Sequence, residues 1–249
     1  MASSTNVRLI RLDCGKANAI DGALLDTLVS ELDRAVAEEA RAIVLTGYGK
    51  YFSAGLNLTA LPSNREGMLS FAEKFDRTLL HLLQFPLPVV AAVNGHAIAG
   101  GCVLACACDV RIGAEGTFWV GVSEVDIGVV FPAAALAVVQ NALHPSRVTE
   151  VILGAKLMPP DEAKSAGILH DVVPTDQLIT AATSAAEHFG SKPQPGFRLT
   201  KQALLADLVE RIEARSHAAR QKFVDLWFSE EVTKRREAML SQNRKKEKE

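Results

Sequence analysis

The sequence predicts an α/β fold with a helical C-terminal part, and three observations carry the prediction. Short apolar runs of strand type, such as Ala42-Ile43-Val44-Leu45-Thr46-Gly47 and Val89-Val90-Ala91-Ala92-Val93, end at glycine turns. Between such runs lie segments whose apolar residues recur at helical spacing, as Leu24, Leu25, Leu28, Leu32 and Val36 do. Beyond Ser191-Lys192-Pro193-Gln194-Pro195-Gly196, which reads as a linker, the pattern is helical only. The chain therefore divides into a core at 1–190 and a helical part at 191–249.

In order, Val7–Leu12 reads as a strand, with Val7, Leu9 and Arg11 on one face. Cys14–Asn18 is a turn, and Asp21 is the expected N-cap of a helix over 21–38. After the strand at 42–47 comes the glycine-rich Gly47–Leu58. The spacing then predicts a helix over 67–84, with Met68, Phe71, Phe75, Leu79, Leu82 and Leu83 near one face and Pro86 and Pro88 stopping it. Further strands are expected at 109–113, 117–120 and 169–173, and helices at 133–143, 146–153, from 160 and at 175–189. Two long charged amphipathic helices, 197–217 and 218–243, close the chain, followed by a charged tail.

With 249 residues, 48% apolar and 22% charged, the composition is that of an ordinary globular protein. A formal net charge of -2 gives no reason to expect a nucleic-acid partner. No apolar run reaches membrane-spanning length, and Met1–Asn6 lacks an apolar leader core, so a cytoplasmic setting without membrane partners is expected. Cys102, Cys106 and Cys108 cluster, but their spacing matches no zinc pattern, so they read as small buried thiols.

The stretch from Pro88 to Cys106 organises the rest. It runs from a buried strand through Asn94-Gly95 and Gly100-Gly101 into small residues of helix type. Adjacent glycines let backbone approach a ligand, and free N–H groups at a helix start favour negative charge. This stretch reads as a site for an anion, permanent or transient. Gly47–Leu58 repeats the design, and neither a Walker loop nor a Rossmann fingerprint is present.

Phe52-Ser53-Ala54-Gly55-Leu56-Asn57-Leu58 and Ala91–Cys102, followed by Cys108-Asp109-Val110-Arg111, resemble signature segments of the enoyl-CoA hydratase/isomerase (crotonase) superfamily. Lys16-Ala17-Asn18-Ala19-Ile20 and Glu124-Val125-Asp126-Ile127-Gly128 resemble two others. The resemblance covers nearly the whole chain, in order. It implies a spiral of ββα units with a C-terminal helical subdomain, assembled as a homotrimer or a dimer of trimers. It also implies an acyl-CoA thioester substrate, with coenzyme A entering as part of that substrate and no other cofactor or metal. Two backbone N–H groups hold the thioester oxygen in the family, and they fall here on Leu56 and Gly100.

Hydratases of the family resemble one another in carrying two glutamates. One position matches Glu124; the other is Val103 here. Adding water wants two acid–base groups, whereas moving a double bond needs one base that takes a proton from C2 and returns it at C4. In this respect, in the step from Gly128 to Pro132 and in the run Phe223–Lys245, the chain looks like the mitochondrial Δ3,Δ2-enoyl-CoA isomerases. Dienoyl-CoA isomerases carry an acid eight residues past the matching glutamate, where this chain has Pro132. The implied activity is transfer of a C3–C4 double bond to C2–C3, with Glu124 catalytic. Hydratase, hydrolase or decarboxylase chemistry on the same scaffold is one alternative, and a non-catalytic acyl-CoA-binding subunit is another.

The resemblance further places Lys16, Ala54, Leu56, Phe228 and Lys245 at the substrate or its coenzyme A moiety. An apolar wall containing Val103 and Phe131 is expected to raise the pKa of Glu124. Asp126, which shares a face with Glu124 if the segment is extended, and His96 read as structural. The helix at 67–84 is expected to line the acyl end.

Overall fold

The computed structural model describes residues 6–246, with side chains detailed except for Lys16 and those beyond 241. Its frame is a parallel five-stranded sheet formed by β1 (Val7–Arg11), β2 (Ala42–Thr46), β4 (Val89–Val93), β6 (Val110–Ala114) and β9 (Asp171–Val173), in that order. β2 and β4 are buried at every residue, as strands covered on both faces must be. In β1 the face carrying Val7, Leu9 and Arg11 is the outer one: Leu9 is 42% exposed, while Ile10 and Leu12 enter the core.

A second, four-stranded sheet holds β3 (Tyr51–Ser53), β5 (His96–Ile98), β7 (Val120–Gly121) and β8 (Leu157–Met158). Strands of two or three residues are too short to show a period, so β3, β5 and β8 were not expected. The strand expected at 117–120 is displaced to Val120–Gly121, and Trp119 stays half exposed. Successive turns of the chain alternate between the two sheets, and this is the spiral of the expected fold class.

Helices α1 (Gly22–Ala37) and α2 (Arg65–Leu83) pack together. Asp21 caps α1 as expected, accepting hydrogen bonds from the N–H groups of Ala23 and Leu24. Asn64 caps α2, which starts two residues before Gly67. The short α3 (Gly100–Cys106) is wholly buried against β3, β5 and α4 (Ala133–Ala142). Its thiols Cys102 and Cys106, with Cys108, are buried and free. The small helices α5 (Val148–Leu153) and α6 (Pro160–Ser165) follow, and α7 (Leu178–Gly190) covers the five-stranded sheet.

The last two helices differ from expectation. Gln194–Trp227 is one continuous helix of 34 residues, α8, and Glu230–Lys246 is α9. Nothing at His217-Ala218 breaks a helix. The chain turns instead at Phe228-Ser229, where the Ser229 hydroxyl accepts from Val232 N–H. Gln194-Pro195-Gly196 forms the first turn of α8, because proline suits the opening of a helix, so only Ser191–Pro193 connect α7 to it. α8 packs across α2 and α4. The charged tail beyond 246 lies outside the described residues. Among those described, no helix is long and apolar enough to cross a membrane.

Candidate active site

Two glycine-rich loops meet beneath α2 and α8, and specific hydrogen bonds stitch them together. The Asn94 side chain accepts from Gly47 N–H at 2.8 Å and donates to the Gly49 carbonyl at 3.1 Å. Buried Asn18 donates to the carbonyls of Tyr51 and Phe52, and the Ser53 hydroxyl donates back to the Asn18 carbonyl at 2.7 Å. A Cβ on Gly101 would stand 2.1 Å from the Ser53 carbonyl oxygen, so glycine is required for α3 to lie against β3. A Cβ on Gly55, itself at φ +87°, would meet the Ile98 carbonyl oxygen at 2.9 Å. The chain at 54–56 thus runs directly beside 98–100.

This junction leaves two N–H groups without acceptors. Ile20 and Leu56 form a parallel bridge in which Ile20 N–H donates to the Gly55 carbonyl and Asn57 N–H to the Ile20 carbonyl. In such a bridge the N–H of the middle residue, Leu56, points away from its partner. Gly100 opens α3, where the first N–H groups have no intrahelical acceptor. Among the described residues neither N–H is engaged in a hydrogen bond. Ala99 just before has φ 50° and ψ -124°, a strained backbone for a residue with a Cβ, of the kind that persists where neighbours over-determine it. Its N–H is anchored on the Gly121 carbonyl at 2.9 Å.

That anchor also delivers the carboxylate. β7 ends at Gly121, and Ser123–Gly128 follows as a turn closed by Gly128 N–H on the Val125 carbonyl. Because the segment turns rather than extends, Asp126 does not share a face with Glu124. Asp126 is exposed, and its carbonyl accepts from Arg235. Glu124 points into a cavity of about 90 Å³ that Ala54, Leu56 and Gly100 also line. Burial raises its pKa from 4.5 to about 7, against hydrogen bonds from its own N–H and from Ser123 N–H that favour the charged form. Among the described residues of the cavity wall, Glu124 is the only titratable one.

The apolar surroundings are not the expected ones. Val103 and Phe131 are buried in the core but are not part of the wall. The wall is Ile127 and Val129 from the turn, Phe71 and Phe75 from α2, and Phe223 and Trp227 from α8. α2 was expected there; the α8 pair and Met239 of α9 were not singled out. Pro132 lines the cavity as well.

Of the other expected binding residues, the structure describes the side chain of Phe228 alone. Phe228 is the C-cap of α8, partly buried against the core and outside the wall. Lys16 lies in a 3-10 turn at Lys16–Asn18 and Lys245 in α9, and the side chains of both lie outside the described residues. His96 is structural: its Nδ1 accepts from Trp119 N–H at 3.1 Å and its ring packs on Tyr51, while burial and the Lys50 ammonium lower its pKa. The Asp109-Val110-Arg111 segment is structural too. Asp109 accepts from Val89 N–H and from buried Lys201, and Arg111 donates to the Cys108 and Ile168 carbonyls.

A partly buried carboxyl and two backbone N–H groups line one apolar cavity, in a fold whose family is now shown: the family model for enoyl-CoA hydratase/isomerase matches residues 2–248, and the chain belongs to that family of enzymes. Its relatives are split between two activities. A putative enoyl-CoA hydratase of Thermus thermophilus is 34% identical over 204 residues, 78% of either chain. Human mitochondrial enoyl-CoA delta isomerase 1 is 27% identical over 239 residues, 93% of this chain and 78% of that one. The crystal structure of human mitochondrial delta3-delta2-enoyl-CoA isomerase matches with a TM-score of 0.91 at 27% identity, covering 97% of this chain and 95% of that chain.

Proposed function

We propose that this protein is an enoyl-CoA isomerase that moves a C3–C4 double bond to C2–C3 with Glu124 as its single acid–base group. The observation that carries the reading is that Glu124 is the one titratable group in the described wall. Val103, matching the hydratases' second glutamate, is fully buried and outside the described wall, and Pro132, matching the dienoyl isomerases' extra acid, has no titratable group.

The thioester oxygen accepts hydrogen bonds from Leu56 N–H and Gly100 N–H. The Glu124 carboxylate takes a proton from C2, and the electron pair of that C–H bond passes into the C2–C1 bond and onto the oxygen. The enolate is stabilised by donors already oriented toward it, and each such donor is worth about 3 kcal/mol. As the charge returns, the C2–C3 double bond forms and the C3–C4 π pair takes the proton from Glu124 at C4. No water or second acid enters. Ala54 borders the thioester, and Lys16, Phe228 and Lys245 bind the coenzyme A moiety, in a homotrimer or dimer of trimers.

Glu124→Gln is expected to lower kcat for a 3-enoyl-CoA by about 10²- to 10⁴-fold. Calorimetric affinity for a saturated acyl-CoA should change little. Undiminished turnover overturns the assignment. The Thermus thermophilus relative favours a hydratase as the second reading. Mass analysis decides between them: 3-hydroxyacyl-CoA formed from a 2-enoyl-CoA faster than a 3-enoyl-CoA is isomerised replaces isomerase by hydratase.

A further inference from the structure

Part of the cavity wall is not used by the chemistry. Trp227, 1% exposed, and Phe223, 3% exposed, pack with ring centroids 5.6 Å apart, and both face the cavity from α8. Three ties hold this wall. The Arg236 guanidinium lies 4.1 Å from the centre of the Trp227 ring and donates to the Trp227 carbonyl at 3.3 Å. Arg220 of α8 pairs at 2.8 Å with Asp76 of α2, one residue from Phe75, so the two aromatic helices cannot part without baring a buried carboxylate. Arg235 of α9 donates to the Asp126 carbonyl at 3.2 Å, fixing α9 to the turn that carries Glu124. Met239 of α9, 39% exposed, completes the wall at the surface.

A pocket closed by well-packed rings does not expand to fit a longer ligand without disturbing its neighbours. The 90 Å³ inside is room for roughly three to six water-sized groups, and a methylene is about that size. We propose that Trp227, Phe223 and Met239 form a length stop that restricts the enzyme to short acyl chains, of about four to six carbons. This rests on the isomerase reading and adds the substrate class to it. Met239 is the weak point of the stop. Being partly exposed, it closes the cavity against solvent, and shortening it opens an exit through which a longer chain can run.

The test measures kcat/KM for 3-hexenoyl-CoA and 3-dodecenoyl-CoA, with products identified by mass and absorbance. For the natural enzyme the six-carbon substrate should be preferred by about tenfold or more, since even one misfitting methylene in an apolar pocket has an effect of that order. Met239→Ala should raise the twelve-to-six ratio by about fivefold or more. Trp227→Phe, which keeps an aromatic core, should move it the same way. Equal or faster turnover of the twelve-carbon substrate by the natural enzyme overturns the length stop, as does a ratio that neither variant changes. Absence of isomerisation at both lengths instead overturns the isomerase reading. In that case, hydration of 2-hexenoyl-CoA preferred over 2-dodecenoyl-CoA would leave the length stop standing.

Discussion

Glu124 is held where its charge is unwelcome, and that sets how it responds to pH. As a base it must be ionised, so kcat/KM for a 3-enoyl-CoA should fall about tenfold per pH unit below an apparent pKa near 7. Stability runs the other way. The folded pKa, about 7, lies above the ordinary 4.5, so the contribution of this group to stability is fully present below pH 4.5 and is lost as pH rises through 7. Glu124→Gln should therefore leave the melting temperature unchanged at pH 4 and raise it at pH 8, where the gain approaches about 3 kcal/mol. A stability difference from the natural protein that is the same at both pH values would show that the carboxyl is not desolvated. That Glu124 was the carboxyl to watch was legible from a family pattern. The cause of its shifted pKa was not, because its walls come from Phe75 and Phe223, far along the chain in either direction. Val103, which was expected there, is buried in the core outside the wall.

Elements rich in local signal were the easiest to read. α1 and α2 declare themselves by apolar spacing and stop where expected, and Asp21 caps the first of them. β3, β5 and β8 carry no such signal, since their place is decided by which backbone Gly101 and Gly121 allow to come close. α8 was misdivided for a related reason: it packs on two partners, α2 and α4, and no single stripe runs its length. What joins α8 to α2 is the Asp76–Arg220 pair, both charges largely out of water. Burial raises the pKa of Asp76, with Arg220 opposing that shift. Arg220→Met should cost about 3–5 kcal/mol at pH 7 in denaturant unfolding, because it strands a buried carboxylate. The loss should shrink as pH falls and Asp76, its pKa raised by burial, takes up a proton. Asp76→Leu/Arg220→Met together should recover most of it; a double variant as unstable as the single would show that packing, not charge, joins the helices.

For the whole molecule, the spiral of two sheets came from the family resemblance rather than from periodicity, and the structure agrees with it. The assembly is where the fold points outward. Leu204 of α8 is 80% exposed, Leu199 59%, and Leu153 of α5 68%. Large apolar side chains left this bare fit a subunit of a closed oligomer. A chain of 26.7 kDa should sediment at micromolar concentration as a species of about 80 kDa, or twice that. A single boundary at the monomer mass would refute the trimer. The buried indole at the cavity wall has an optical consequence of its own. The sequence contains two tryptophans, and they sit in opposite surroundings: Trp119 is 46% exposed and Trp227 is 1% exposed. Iodide in solution reaches the first and not the second, so the fluorescence that survives quenching comes from Trp227 alone. That emission is a built-in gauge of whether the cavity is filled, readable without label or turnover.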